Sequence, residues 1–453
     1  MTHRPAVALA ASSLGFALVL LDTAVVSVAL PAIRDDLGAS ATGLQWVVNG
    51  YTLVLASLLL SAGALADRLG ARRLMLAGTL IFAVASSAAA MAPTTGALVA
   101  AQVLLGTGAA ALVPASLALL TAAYPEPSAR ARAVGVWAAA SASAFAAAPV
   151  LAGLLIEAVG WRAIFAVNLP FAILVAGLVL RGVAETTRTP ARGLDVAGQL
   201  LAVTALAAVT FALIQSRPLG WASPSVLAGL VVALAAGAAF VAVEHRGRAP
   251  MLPLSLFASR AFSTSTVAGL LVSFAIYSQL FILSLFLQEV RNLSALETGL
   301  AFIPQPIVFA LAGIPAGRLI ARVGPRIPLA LGGALAAAGA LVLASVGAET
   351  PYGVILASLI LFGLGAGITI PALTTAVVSS VPPLQVGVAS AALNASRQTG
   401  GVLGVALLGG LATGGDVVGG MHTALNVCAV ALAGVAILGA RITVRPRARV
   451  ATA

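Results

Sequence analysis

The chain contains no lysine; all 24 of its basic residues are arginine. A Walker A loop needs a lysine to reach the nucleotide phosphates, so the chain is not an ATP engine of its own. A single cysteine, Cys428, rules out an internal disulfide, and three scattered histidines, His3, His245 and His422, cannot assemble a metal cluster. No G-x-S-x-G segment offers a nucleophile elbow. Charged residues make up only 8% of the chain, and no cluster of acids or histidines is evident among them. The expectation is no metal, no cofactor and no enzymatic activity.

What the chain has instead is apolar sequence: 453 residues, 61% of them hydrophobic, with a mean hydropathy of +1.10. An apolar run of about 20 residues crosses the hydrocarbon core as a helix, and only helices satisfy their own backbone there. No barrel-like alternation is present. The chain therefore reads as an all-α polytopic membrane protein. In a soluble protein the net charge of +11 would suggest nucleic acid. Here the arginines sit in short loops between apolar spans and report topology, so the bilayer is the partner and nucleic acid is not.

Spans are predicted near 9–30, 44–65, 74–92, 96–121, 133–157, 162–181, 194–214, 224–244, 261–287, 296–320, 327–347, 351–379, 385–413 and 421–440. The first, preceded by Arg4, runs past Asp22 to Pro31, too long for an ordinary cleavable signal and suited to a membrane span. An even number of spans puts both termini on one side. Loops on that side carry most of the arginines, among them Arg68, Arg72, Arg73, Arg130, Arg132, Arg181, Arg188, Arg192, Arg248, Arg318, Arg322, Arg326, Arg445, Arg447 and Arg449. The other side holds only Arg34, Arg162, Arg217 and Arg291. The positive-inside rule then makes both termini cytoplasmic.

Two internal repeats divide the chain. GALADRLGARR (Gly63–Arg73) is approximately repeated as GRLIARVGPR (Gly317–Arg326), aligning Gly63 with Gly317, Arg68 with Arg322, Gly70 with Gly324 and Arg72 with Arg326, while Asp67 falls on Ala321. Independently, Gly106, Gly108 and Pro114 share their spacing with Gly363, Gly365 and Pro371. Parallel repeats in an apolar chain mark transporters built from two similar bundles around a central site. The predicted organisation is a six-helix bundle over 1–181, a linker with two extra spans over 182–254, and a second six-helix bundle with a tail over 255–453. The two linker spans carry few polar residues and are expected to face lipid.

Asp22 and Arg397 are the ionisable side chains placed near the middle of spans. An aspartate or arginine at a helix centre costs about 2.5–3.5 kcal/mol on insertion scales, so each defaults to a functional hypothesis. A carboxylate whose surroundings change during a movement changes its proton affinity, the minimum for proton coupling. A static Asp22–Arg397 pair that only orients helices would also account for them. Other polar residues fall on shared helical stripes: Gln45, Asn49 and Thr52; Ser273, Tyr277, Ser284 and Gln288; Ser390, Asn394 and Arg397. Such stripes would line a weakly polar cavity, with Gln45, Asn49, Tyr277, Gln288 and Asn394 as its candidates, or would serve interhelical hydrogen bonds. In the Gly63–Arg73 segment glycine permits a tight turn, Asp67 can face a helix N-terminus, and the arginines can meet carboxylates. These contacts could latch one conformation; the arginines could equally be topogenic only. Gly400 and Gly404 are expected to serve close helix packing, and Pro149 and Pro371 to bend their helices.

These residues resemble a known family. The Gly63–Arg73 segment resembles the signature loop between helices 2 and 3 of the major facilitator superfamily, and the whole chain resembles its fourteen-helix drug:proton antiporter branch. LDTAVVSVALP (Leu21–Pro31), GTGAAALVPASLAL (Gly106–Leu119), GWRAIFAVNLP (Gly160–Pro170) and NASRQTGGVLGVALLG (Asn394–Gly409) carry the likeness further. The resemblance implies that Asp22 is the family's acidic position in helix 1. It assigns Asp67, Arg68 and Arg72 to a conformational latch, to which Gly63, Gly70, Arg73, Arg322 and Arg326 are added. Two positions depart from the pattern. Gln102 stands where the family usually places a helix 4 arginine associated with proton coupling, and the helix 5 motif appears as Ala148, Pro149, Ala152 and Gly153. Arg397 could substitute for the missing arginine electrostatically.

The resulting expectation is a cell-membrane exporter, acting as a monomer, that exchanges protons for hydrophobic or amphipathic small molecules by alternating access. Its rivals are an uptake or uniport system for a small metabolite, a non-transporting sensor with the same fold, and a membrane-embedded enzyme. The last lacks the clustered acids or histidines it would need.

Overall fold

The computed structural model describes residues 4–186, 195–247, 250–382, 385–412 and 416–442. Arg188, Arg192, Arg248, Arg445, Arg447 and Arg449, assigned above to arginine-rich loops, lie outside the described residues. Sixteen helices follow in order among them: α1 (Pro5–Leu37), α2 (Ala41–Leu69), α3 (Ala71–Ala90), α4 (Thr95–Ala123), α5 (Pro127–Val159), α6 (Ala163–Ala166), α7 (Asn168–Gly182), α8 (Val196–Leu219), α9 (Pro224–Arg246), α10 (Arg260–Leu285), α11 (Ala295–Phe302), α12 (Pro304–Val323), α13 (Arg326–Leu343), α14 (Tyr352–Ser380), α15 (Val386–Leu408) and α16 (Val417–Arg441). Pairs α6–α7 and α11–α12 each form one broken span, so every predicted span has its helix. By length and composition 13 of these helical stretches could cross a membrane. The remaining one, α15, is diluted by Asn394, Ser396, Arg397 and Gln398.

Local chemistry sets the helix ends. The hydroxyl of Ser40 accepts from the Gly43 N–H and the Asp195 carboxylate from that of Gly198, while Ser294 and Glu297 form a reciprocal capping box. Glu126 caps α5 by accepting from the Ser128 and Ala129 N–H groups, which holds its carboxyl below the usual range. Gly70 (φ 95°) alone separates α2 from α3, and its repeat mate Gly324 (φ 73°) ends α12 at the equivalent turn. Gly63 does not form a turn: it lies inside α2, and a side chain there would meet open space. The tight turn expected of that segment belongs to Gly70.

The repeat is visible in the packing. Helix α4 packs on α2 and α3 as α14 packs on α12 and α13; α1 pairs with α5 and α7 as α10 pairs with α15 and α16. The aligned glycines sit at the same crossings. A Cβ on Gly106 would come within 2.5 Å of the Tyr51 carbonyl oxygen on α2, and one on Gly363 within 2.6 Å of the Gln305 carbonyl oxygen on α12. Each glycine lets two backbones touch, which is how membrane helices gain dispersion energy without a hydrophobic driving force. Gly400 and Gly404 do the same for α15 against α10.

The linker helices pair with each other, and the outlying α9 presents Leu227, Val231 and Leu234 outward, as a lipid-facing helix should. Helix α8 differs from that expectation. It lies against both α2 and α15, and Gln199 donates to the Ser57 carbonyl (3.0 Å) while accepting from the Ser61 hydroxyl. A polar side chain with two satisfied bonds has docked this helix on the first bundle.

Candidate functional site

Asp22 lies at the middle of α1, 1% exposed, where α1 packs on α4, α5 and α7. Its Oδ1 accepts from the Asn168 side-chain nitrogen at 2.8 Å, and the same nitrogen reaches the Ser86 hydroxyl at 3.0 Å. Asn168 is wholly buried at the first position of α7, directly after the α6–α7 break. Asp22 Oδ2 and Asn168 Oδ1 have no hydrogen-bond partner. A buried polar atom left unbonded is costly and calls for a water, a proton or a ligand. Nearby on α2, the Tyr51 hydroxyl donates to the Val19 carbonyl at 3.0 Å and lies within electrostatic range of Asp22.

The second bundle contributes the other half. Arg397, at the middle of α15, is half-buried, with its Nε buried and unbonded. Its titratable neighbour is Tyr277 of α10, whose hydroxyl hydrogen-bonds Gln398 Oε1 at 3.2 Å. Tyr51 and Tyr277 are also within electrostatic range of each other, so ionisable groups of the first bundle (Asp22, Tyr51) and of the second (Tyr277, Arg397) influence one another pairwise across the interface. No ion pair joins Asp22 to Arg397, so the static pair considered from the sequence is replaced by Asp22–Asn168. Gln102 and Asn49 are 1% and 0% exposed, and none of their amide atoms has a partner. Asn394 is half-buried.

The remaining candidates hold the bundles together on the arginine-poor side. Gln45 donates to the Val405 carbonyl (2.8 Å) and the Ala406 carbonyl (3.1 Å); Gln288 donates to Val28 (3.1 Å) and Ser284 to Ser27 (2.8 Å). Arg34 pairs with Glu289. Helix α5 joins this clasp through its motif: a Cβ on Gly153 would lie 2.5 Å from Leu296 Cα on α11, and Gly299 meets the Pro149 carbonyl. Gln45 and Gln288 are thus engaged in closure in this conformation.

On the arginine-rich side, no hydrogen bond or ion pair joins the first bundle to the second among the described residues. The N-terminus of α3 is satisfied by the linker, with Arg72 N–H donating to Glu185 (2.9 Å) and Ala71 N–H to Thr186 (2.9 Å), and Arg73 lies 3.8 Å from Glu185. This corrects the role anticipated for Asp67 there, because Glu185 and Thr186 take it. Asp67, Arg68, Arg322 and Arg326 are exposed, with no hydrogen-bond or ion-pair partner for their side chains among the described residues. Among the described residues, polar contacts join the two bundles on one side and not on the other.

Asn168, Ser86 and Tyr51 escaped the sequence reading, as did the reciprocal amide pair Gln279–Gln305 at 3.0–3.1 Å. The signal for Asn168 was available: it is an amide within the apolar run that follows Gly160–Trp161.

The family model described as Major Facilitator Superfamily matches residues 12–405, and again 266–452. The chain belongs to the Major Facilitator Superfamily. The double match agrees with the internal repeat. Among curated relatives, this superfamily member is 38% identical to a methylenomycin A resistance protein of Streptomyces coelicolor, over 89% of this chain and 85% of the relative. It is 39% identical to a puromycin resistance protein of Streptomyces alboniger, over 88% and 80%, and 36% identical to the multidrug resistance protein Stp of Mycobacterium tuberculosis, over 90% and 76%. The fold matches that of an autoinhibited POT family peptide transporter with a TM-score of 0.72 at 14% identity, covering 98% of both chains. The protein is a multi-pass membrane transporter of small molecules.

Proposed function

We propose that this transporter exports hydrophobic or amphipathic organic compounds from the cytoplasm in exchange for protons, with both termini cytoplasmic and one chain as the working unit. The observation that carries the reading is Asp22, a buried carboxylate at mid-membrane with one oxygen bonded to Asn168 and the other free. A proton arriving at the free oxygen would neutralise the charge, and its departure would restore the charge in a site that solvates it poorly. The names of the relatives, which speak of resistance to antibiotics, support drug-like cargo. With the arginine-rich side cytoplasmic, the clasped conformation is the cargo-loading state, and Asp67, Arg68 and Arg72 would latch against the second bundle once the clasp opens. Few charges line the interior, which suits lipophilic cargo better than sugar phosphates.

The test is efflux of lipophilic cations and antibiotics, driven by an imposed pH gradient, in wild type, Asp22→Asn and Gln102→Arg. Asp22→Asn should abolish gradient-driven efflux; unchanged flux would remove Asp22 from the mechanism. Uptake of the panel under the same gradient would favour an importer instead.

A further inference from the structure

A cleft of about 550 Å³ opens on the flank of the first bundle, between α1 and α7 at their arginine-rich ends. Its walls are apolar: Val7 of α1, and Ile173 and Leu174 of α7, which are 71% and 48% exposed. Its floor is Gly177, where a Cβ would meet nothing within 4 Å, and it closes where Val7 packs on Gly182. Arg4 and Arg181 stand at its mouth, both exposed and without an ion pair or side-chain hydrogen bond to the described residues. Elsewhere on this side Arg73 has Glu185 and Arg130 has the Tyr124 and Pro125 carbonyls; Arg68, Arg322 and Arg326 are as free as Arg4 and Arg181 but do not line the cleft. Among the described residues the Arg4–Arg181 pair has no counter-charge.

We propose that this cleft is a binding site for one anionic phospholipid, its phosphate held by Arg4 and Arg181 and an acyl chain lying over Gly177. The charge pattern selects the occupant. Two unpaired guanidiniums at headgroup level attract a phosphodiester, and from Arg181 to Ile173 the groove descends about 12 Å along the helix, into the depth occupied by hydrocarbon. A free anion would leave that apolar groove unused. A second protein would need a broader face. Basic pockets between membrane helices beside a leaflet are suited to acidic headgroups. The bound lipid would brace α1 against α7, the helices that carry Asp22 and Asn168.

The test uses the purified full chain, stripped of lipid in detergent and equilibrated with mixed micelles of phosphatidylglycerol and phosphatidylcholine in equal amounts, with bound lipid identified by native mass spectrometry. The first lipid bound should be phosphatidylglycerol by about thirtyfold, the worth of two arginines near an acidic surface. Arg4→Gln combined with Arg181→Gln should erase that preference. Gly177→Leu, which keeps both arginines and fills the floor, should lose the lipid as well. Absence of headgroup preference in the wild type, or its persistence in the double variant, would overturn the proposal. So would a Gly177→Leu protein that keeps the preference and loses it to added inorganic phosphate, since that marks an anion site with no acyl seat.

Discussion

At the scale of single residues, the decisive contact is the one that holds Asp22. Asn168 supplies its one hydrogen bond; removing a donor from a buried acceptor leaves a penalty of about 1–3 kcal/mol. Asn168→Leu should therefore lower the melting temperature of the purified protein and impair gradient-driven efflux. Ser86→Ala, which leaves the Asp22–Asn168 bond intact, should cost less in both. Equal losses would show that the Ser86 contact matters as much as the bond from Asn168 to Asp22 and would contradict this ranking. Asp22 was legible from the sequence because one acid in a long apolar run is conspicuous. Asn168 was not singled out because an amide carries no charge to mark it, and its role depends on the packing of α7 on α1, which brings together residues 146 positions apart in the chain.

At the scale of elements, the crossing of α5 and α11 depends on Gly153 and Gly299 having no side chain. Gly153→Leu should hold the arginine-poor side open. Cysteines introduced there should then react with membrane-impermeant maleimide faster than in the wild type, and the sole native cysteine, Cys428, is fully buried and will not interfere. An unchanged labelling rate would mean that this crossing does not govern closure. The start of α5 offers a pH-dependent counterpart. The Glu126 carboxyl titrates below its unfolded value of about 4.3, so its cap is fully present above that pH and is lost as pH falls through the lower folded value. Hydrogen exchange at Ser128 and Ala129 should accelerate across that acidic window in the wild type and show no such step in Glu126→Gln. Helices and their order could be read from hydropathy because each span must satisfy its own backbone. The clasp could not: stripes such as Gln45–Asn49 look the same whether they line a cavity or bond the opposite bundle, and only the packing shows that Gln45 reaches Val405 and Ala406.

At the scale of the whole molecule, the repeat foretold two equivalent bundles, and the matching glycine crossings of α2–α4 and α12–α14 bear that out. What no repeat could foretell is the asymmetry, clasped on one side by Gln45, Gln288 and Arg34 and free on the other. A rocking protein should exchange the two, engaging Asp67, Arg68 and Arg72 as the clasp lets go. Spin-label distances measure this most directly, with one pair at Leu69 and Val323 on the arginine-rich side and another at Met91 and Ala348 on the opposite side. Between the substrate-free wild type and Asp22→Asn, a mimic of the protonated acid, the two distances should change in opposite senses. If both distances stay fixed, or move in the same direction, Asp22 does not govern a rocking of the two bundles and the central claim fails.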